Sequence, residues 1–357
     1  MLQDRYDVVI VGSGPAGAAA ARAIAGHGLD SIIIEKARLP RYKMCSGILF
    51  PSGRELIADA FGPLPKEVLS EPPRVRGNRV YLTRGSPAAD APFIVFDDGP
   101  SLCENGLNVK RPELDHWLCR ESGIPIVDDC LFTTLRREGD DSIVTVHRGG
   151  RDTQIRARYL VGADGTRSAV RGALSTSFDQ TLRLIPNYEE WYVGDIDLEP
   201  EWLYLFFDRT ITGYFATVFH KDGHIIAVTG TRQGESVKKC FGRFTAYLEE
   251  RHGLAIERRV ERCGCAVHDM SATDNYCLGE GNVLLAGEAG GFNRCGEGIT
   301  SALVTGRAAG ECILRAVDSG GFAFASYPDA VAGEIEACTR VNRLIESAVG
   351  LNPFTRD

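Results

Sequence analysis

The sequence predicts an α/β protein: a parallel sheet with helices packed on it, joined to an α+β substrate lobe built on an antiparallel sheet. Three observations predict it. An apolar run at Tyr6–Val11 ends in a glycine-rich turn and leads into an alanine-rich helix and a second apolar run. The pattern of strand, glycine turn and helix returns around Gly162, and residues Tyr188–Gly230 are strand-like, alternating and aromatic. A β-turn-α-β opening of this kind requires a parallel pair joined by a right-handed crossover.

The chain has 357 residues, 44% hydrophobic and 25% charged. At ~100–200 residues per domain, that length allows two or three lobes around a shared interior. Glycine contributes 40 residues, about 11% against the ~7% usual in proteins, so the places where it clusters are informative. The 48 acidic against 40 basic residues give a net charge of −8, which supplies no field for nucleic acid or anionic lipid. Peripheral lipid contact through an apolar groove is left open. No secretory signal, and no run of transmembrane length, is visible. The 11 cysteines are scattered, which predicts reduced thiols and a cytoplasmic location. Cys263 and Cys265 are closest, and C-x-C without a second cluster is poor zinc spacing, so no metal is expected. The oligomeric state is not legible.

In chain order, strands are expected at Tyr6–Val11 and Leu29–Ile34 around a helix at Pro15–His27, then a loop at Ala37–Gly53 and a helix at Arg54–Phe61. Strand-like runs follow at Arg74–Thr83 and Phe93–Asp97, a helix at Arg111–Ser122, and strands at Ile124–Leu131, Ser142–Arg148 and Thr153–Val161. Beyond the aromatic β section, whose Trp191, Tyr192, Trp202, Tyr204, Phe206, Phe207, Tyr214, Phe215 and Phe219 suggest an aromatic wall, come a helix at Ser236–Gly253 and a short strand at Asn282–Ala286. A small-residue helix at Gly298–Ser319 and a helical tail to Val349 complete the chain.

The first turn reads Gly12-Ser13-Gly14-Pro15-Ala16-Gly17, a G-x-G-x-x-G between strand and helix, and Glu35 and Lys36 close the next strand. Gly12 permits the tight turn, Gly14 lets a pyrophosphate approach the backbone, and Gly17 lets helix and strand pack closely. The helix N-terminus offers free N–H groups to phosphate, and Glu35 accepts from ribose hydroxyls. The turn alone does not choose between FAD and NAD.

Two further motifs make that choice. Val161-Gly162-Ala163-Asp164-Gly165-Thr166-Arg167 and Leu284-Leu285-Ala286-Gly287-Glu288-Ala289 resemble the second and third FAD signatures of the flavoprotein superfamily of p-hydroxybenzoate hydroxylase-like monooxygenases. The resemblance implies a Rossmann-like FAD-binding domain, with Asp164 and Gly165 near the cofactor and Gly287-Glu288 at the ribitol, where the usual pair is Gly-Asp. Gly296, Gly298 and Ile299 then open a helix whose N-terminus would face the flavin pyrimidine edge.

Within that superfamily the chain is similar to the geranylgeranyl reductase family, through Pro40-Arg41-Tyr42-Lys43-Met44-Cys45-Ser46-Gly47 and Gly296-Glu297-Gly298-Ile299. That family reduces C=C bonds of prenyl chains, with hydride from N5 of reduced FAD and a proton from a donor opposite. Cys45, Ser46 and Gly47 are thereby placed at the flavin, and Arg111 resembles the superfamily arginine near FAD, with a surface salt bridge to Asp115 as its alternative. The family's aromatic-x-Trp-x-Phe-Pro pattern matches Phe215–His220 with two departures, Thr217 for tryptophan and His220 for proline. Tyr214, Thr217, Phe219 and His220 are the resulting substrate candidates, with His220 either structural or titrating near neutrality.

Cys45 and Cys295 are the candidate catalytic thiols, as proton donor, redox pair or flavin tuner, against the alternative that each is a small buried hydrophobe. The expected division is 1–72, 101–180 and 273–320 for the FAD-binding domain, 73–100 and 181–272 for the substrate lobe, and 321–357 for a helical tail. The resemblance implies an FAD-dependent oxidoreductase that reduces or introduces a C=C bond in a hydrophobic or prenyl-like substrate by hydride transfer through flavin N5. NAD(P)H or a ferredoxin-like protein would be the electron donor. A monooxygenase shares all three motifs, a non-catalytic flavoprotein is a third class, and no Trp-x-Trp-x-x-Pro segment marks a halogenase.

Overall fold

The computed structural model describes residues 2–82, 105–174, 176–232, 234–269, 276–294 and 297–349. The expected strand at Phe93–Asp97, together with Cys295 and Gly296, lies outside the described residues.

The parallel sheet runs in the order β16-β17-β10-β1-β2-β7. Its strands are β16 (Gly279–Glu280), β17 (Val283–Leu285), β10 (Arg151–Gly162), β1 (Arg5–Val11), β2 (Ser31–Ile34) and β7 (Ile126–Val127). From β17 to β7 every pair is parallel. A hairpin of β8 (Leu131–Glu138) and β9 (Asp141–Arg148) extends β10 in antiparallel fashion.

Both faces of β1 are covered. Val8 and Ile10 pack toward the helices α1 (Pro15–Ile24), α3 (Arg111–Glu121) and α7 (Gly298–Ser319), whereas Val9 and Val11 join Val144, Val146 and Val170 on the other face. Burial on two sides is why the strand is a continuous apolar run and not an alternating one. The short helices α4 (Ala169–Leu174) and α5 (Thr176–Thr181) follow β10.

The second sheet is antiparallel except at one pair and runs β15-β11-β14-β13-β12-β5. It comprises β5 (Gly77–Leu82), β11 (Leu184–Asp195), β12 (Trp202–Phe207), β13 (Ala216–Lys221), β14 (His224–Gly230) and β15 (Ala255–His268). Helix α6 (Val237–His252), capped by Ser236 and ended by left-handed Gly253, covers one face.

Alternation divides the expected aromatic wall. Tyr192, Tyr204 and Phe206 lie under α6, and Trp191 and Phe219 lie on the opposite face, so the aromatics do not form one substrate-facing surface. A third sheet, β3 (Ile48–Leu49), β6 (Gly106–Val109) and β4 (Leu69–Val75), supports that opposite face. Helices α2 (Pro51–Phe61) and α8 (Tyr327–Val349) pack against α7.

Several boundaries shift for local reasons. Helix α1 stops at Ile24, before the expected His27, because Gly26 and Gly28 both take positive φ. Arg74–Thr83 is broken into β4 and β5. Strand β15 was not expected from the sequence: its first eight residues, Ala255 to Arg262, are exposed and mostly charged. It is an edge strand, where charge deters pairing with other chains, and so it lacks the alternation that marks a half-buried strand. Among the described residues, no helix is long and apolar enough to cross a membrane.

Helices α1 and α7 approach backbone to backbone. A Cβ at Gly306 of α7 would stand 2.1 Å from the Ala16 carbonyl oxygen of α1. Gly306→Leu is therefore expected to destabilise by about 1–3 kcal/mol or more through overpacking, read as a lower urea midpoint with unaltered slope.

Candidate functional site

The first turn, the two later glycine motifs and the acidic residue all fall at the carboxyl ends of neighbouring parallel strands. Gly12 follows β1, Ala163 follows β10, Gly287 follows β17 and Glu35 follows β2. The chain leaves β1 toward β2 on one side and has β10 on the other. This is the switch point at which ligands bind in open parallel sheets.

Backbone bonds tie the turns together: Gly12 N–H donates to Ile34 O at 2.8 Å, Ala163 N–H to Val11 O at 2.8 Å, and Ala286 N–H to Gly162 O at 2.9 Å. Gly12 has φ +109°, and a Cβ there would lie 2.4 Å from the Ala163 carbonyl oxygen, so no other residue fits the turn. Gly14 is different. The nearest atom to a Cβ there is the Arg41 guanidinium at 3.7 Å, so the protein's own packing does not require glycine at this position.

Helix α1 begins at Pro15 with no side-chain cap and no acidic residue in its first turn. Glu35 is buried beside it. Its Oε2 accepts from the backbone N–H and the hydroxyl of Ser13, at 3.0 and 2.7 Å, and its Oε1 accepts from Ala37 N–H at 3.0 Å. Arg41 pairs with Glu35 at 3.2 Å and with Asp115 at 3.3 Å, and Asp115 is gripped at both oxygens by Arg111. Burial works against ionisation of Glu35, but Arg41 and Ser13 outweigh it and hold the carboxyl below its ordinary range. Lys36, by contrast, is exposed.

Arg111 is 5% exposed, so its pair with Asp115 is a buried one. It also hydrogen-bonds Cys45, which brings the Cys45–Gly47 turn against the same charged chain. Cys45 Sγ accepts from Gly47 N–H at 3.4 Å. On the other side of that turn stands Lys221, buried, donating to Asn108 Oδ1 at 2.5 Å and Val109 O at 2.7 Å. Burial lowers its ammonium to about 7.

In the second motif the side chain of Asp164 turns away from the first turn. It accepts from Ser168 Oγ at 2.6 Å and from Ala169 and Val170 N–H at 2.7 and 3.2 Å, capping α4, while burial raises its carboxyl. Gly165 has φ +84° with no protein atom near an added Cβ. In the third motif Gly287 packs against Ala16 and Ala302, and Glu288 pairs with Lys43 at 3.2 Å. Burial opposes ionisation of Glu288, yet Lys43 and His268 keep it below the usual range. Gly298 and Ile299 open α7, whose N-terminal residue Glu297 makes no side-chain cap.

Residues 5–274 match the family described as FAD binding domain. The chain belongs to that family.

Protein CbrA of Escherichia coli (strain K12) is 29% identical over 318 residues, covering 84% of this chain and 82% of that protein. A geranylgeranyl bacteriochlorophyll reductase-like protein from Thermoplasma acidophilum shares the fold with a TM-score of 0.75 at 19% identity, covering 96% of this chain and 84% of the other. Aklavinone-11 hydroxylase in complex with FAD and aklavinone superposes with a TM-score of 0.69 at 17% identity, covering 99% and 70%. The flavin-dependent brominase Bmp2 superposes with a TM-score of 0.69 at 18% identity, covering 96% and 88%. Reductase-like proteins, a hydroxylase and a brominase thus share this fold.

FAD fits the residues observed. The uncapped α1 terminus and the open backbone at Gly14 suit a pyrophosphate, and Glu35 Oε1, bonded only to Ala37 N–H, retains one lone pair for a ribose hydroxyl. Arg41 would stand beside the phosphates.

The substrate candidates separate. Thr217 and Phe219 lie on the sheet face turned toward the Cys45 turn, with Phe219 packed among Ile48, Phe50 and Ile226. His220 points to the other face, with Ala216 and Val218, and burial lowers it to about 4, so it stays neutral near pH 7. Tyr214 packs beside Ile185 at the sheet's end.

Sequence reasoning quoted Tyr42 only within a motif, weighed Cys263 and Cys265 only as a metal pair and missed Glu189 and Lys221, yet all five lie on the sheet side turned toward the Cys45 turn. The available signal was period-two spacing with Phe219, Trp191 and each other across β11, β13 and β15.

Two outcomes follow. Gly14→Val should fold with stability within about 0.5 kcal/mol of the parent protein freed of FAD, as expected of a substitution into open space, yet purify colourless. His220 binds its proton less readily folded than unfolded, so stability falls as pH drops from its ordinary 6.5 toward 4. His220→Asn should lack that component, up to about 3 kcal/mol at the acid end, in urea titrations across this window.

Proposed function

We propose that the chain reduces, or introduces, a C=C bond in a hydrophobic or prenyl-like substrate. The observation that carries the proposal is the apolar sheet face formed by Thr217, Phe219, Trp191 and Val228. It meets Ile48 and Phe50, the residues that directly follow the Cys45–Gly47 turn. Bound FAD would supply hydride chemistry at N5. The chain's own residues bind and orient: Gly12–Gly17, Glu35 and Arg41 take the dinucleotide, and Gly287, Glu288, Gly298 and Ile299 line the flavin end. The Arg111–Asp115 pair holds the Cys45 turn. The apolar face excludes water from the substrate.

Support for a shorter or differently shaped substrate comes from Thr217, which takes the place of a tryptophan in the prenyl-reductase pattern and leaves more room beside Phe219. NAD(P)H or a ferredoxin-like protein would be the electron donor, and the sequence contains no second dinucleotide turn.

Anaerobic photoreduction of the yellow holoprotein, followed by mixing with geranylgeraniol or farnesol, tests the reading. Reoxidation by the alkene without peroxide, yielding a saturated product, is expected. Reoxidation only by oxygen, with a hydroxylated product, would replace it with a monooxygenase.

A further inference from the structure

Glu189 of β11 is 1% exposed and lies on the flavin-side face, across the sheet from Val228 and Thr217. Three donors converge on one of its oxygens. Oε1 accepts from the Tyr42 hydroxyl at 2.5 Å, from Trp191 Nε1 at 2.7 Å and from Cys263 Sγ at 3.7 Å. Its other oxygen, Oε2, is buried without a hydrogen-bond partner. Lys221 is the cation that acts on Glu189 from β13, yet its ammonium is bonded to Asn108 and Val109.

Buried carboxylates normally satisfy both oxygens, and leaving one unmet is costly. A neutral carboxyl fits the asymmetry: Oε1 is the carbonyl acceptor for the three donors, and the proton on Oε2 is an O–H that no protein acceptor holds and that is open to a bound molecule. Burial pushes the Glu189 carboxyl up, in the same direction. Tyr42 completes a path outward, because its hydroxyl is on Oε1 while its side chain is 47% exposed.

We propose that Glu189 is the proton donor of the reaction, delivering the Oε2 proton to the substrate carbon opposite the one that receives hydride. The role rests on the C=C reductase reading. In the step the O–H bond at Oε2 breaks and a C–H bond forms with the electron pair of the substrate π bond, while hydride, from the reduced flavin of the proposed reaction, fills the other carbon. The carboxylate left behind regains a proton on Oε1 from the Tyr42 hydroxyl as that hydroxyl takes one from solvent, and rotation of the carboxyl about Cγ–Cδ returns the proton to the Oε2 position. Cys45, already bonded to Gly47 N–H and Arg111, is then not required as the acid.

Glu189→Gln keeps the shape and the Oε1 contacts but has no acidic proton. In the holoprotein, photoreduction and reoxidation by oxygen should stay within about twofold of wild type, while reoxidation by geranylgeraniol slows by ~100-fold or more, the span of a lost general acid. Independently of turnover, infrared spectra at pH 7 should show the carbonyl stretch of a protonated carboxyl, shifted by deuterium exchange, absent in Glu189→Gln and moved in Tyr42→Phe. Wild-type alkene turnover with an unaltered Glu189→Gln rate, or absence of the infrared band from wild type, overturns the role of Glu189 alone. A wild-type protein that the alkene never reoxidises overturns the reductase reading, and this role with it.

Discussion

The architecture depends on close approach of backbones around helix α1. A Cβ at Gly17 would lie 1.9 Å from the Gly12 carbonyl oxygen, one at Gly306 would lie 2.1 Å from that of Ala16, and one at Gly310 would lie 2.8 Å from that of Ala20. No side chain separates the first turn, α1 and α7. Dispersion and burial along that seam therefore fix the third motif, at Gly287, directly against the first, at Ala16. A small change in spacing would separate groups that must contact one cofactor.

Charge provides the second frame. Glu35, Arg41, Asp115 and Arg111 form an alternating chain from the end of β2 to the Cys45 turn, almost wholly out of water. Such a chain is stable only while complete, since removing one member strands its neighbour as an uncompensated buried charge, at about 3–5 kcal/mol. It couples the acidic residue that follows β2 to the Cys45 turn. Lys43 and Glu288 make a second link between that turn and the third motif.

The glycine motifs, the parallel β-α-β opening, the limits of α7 and the end of α8 were legible in the sequence because each depends on neighbouring residues, whereas the order of the remaining strands was not. Gly298–Ser319 carries its own small-residue pattern, and the continuous apolar runs mark strands buried on both faces. Strand β15 was not legible, because an exposed charged edge has no hydrophobic period. Nor was the division of the aromatic section, since alternation separates two faces without saying which one α6 will cover. Lys36 and Asp164 show the limit for single residues: a motif places the backbone, and packing aims the side chain outward at Lys36 and into the α4 cap at Asp164.

By itself, then, the sequence determined the cofactor class and the domain that holds it, because a dinucleotide is recognised by local turns, glycines and a helix terminus within short spans of chain. Only the tertiary structure decided which side chains gather on the sheet face beside the Cys45 turn. Tyr42, Glu189, Lys221 and Cys263 come from four separate stretches, and a buried carboxyl acquires its chemistry from the donors and the dryness that distant segments bring to it.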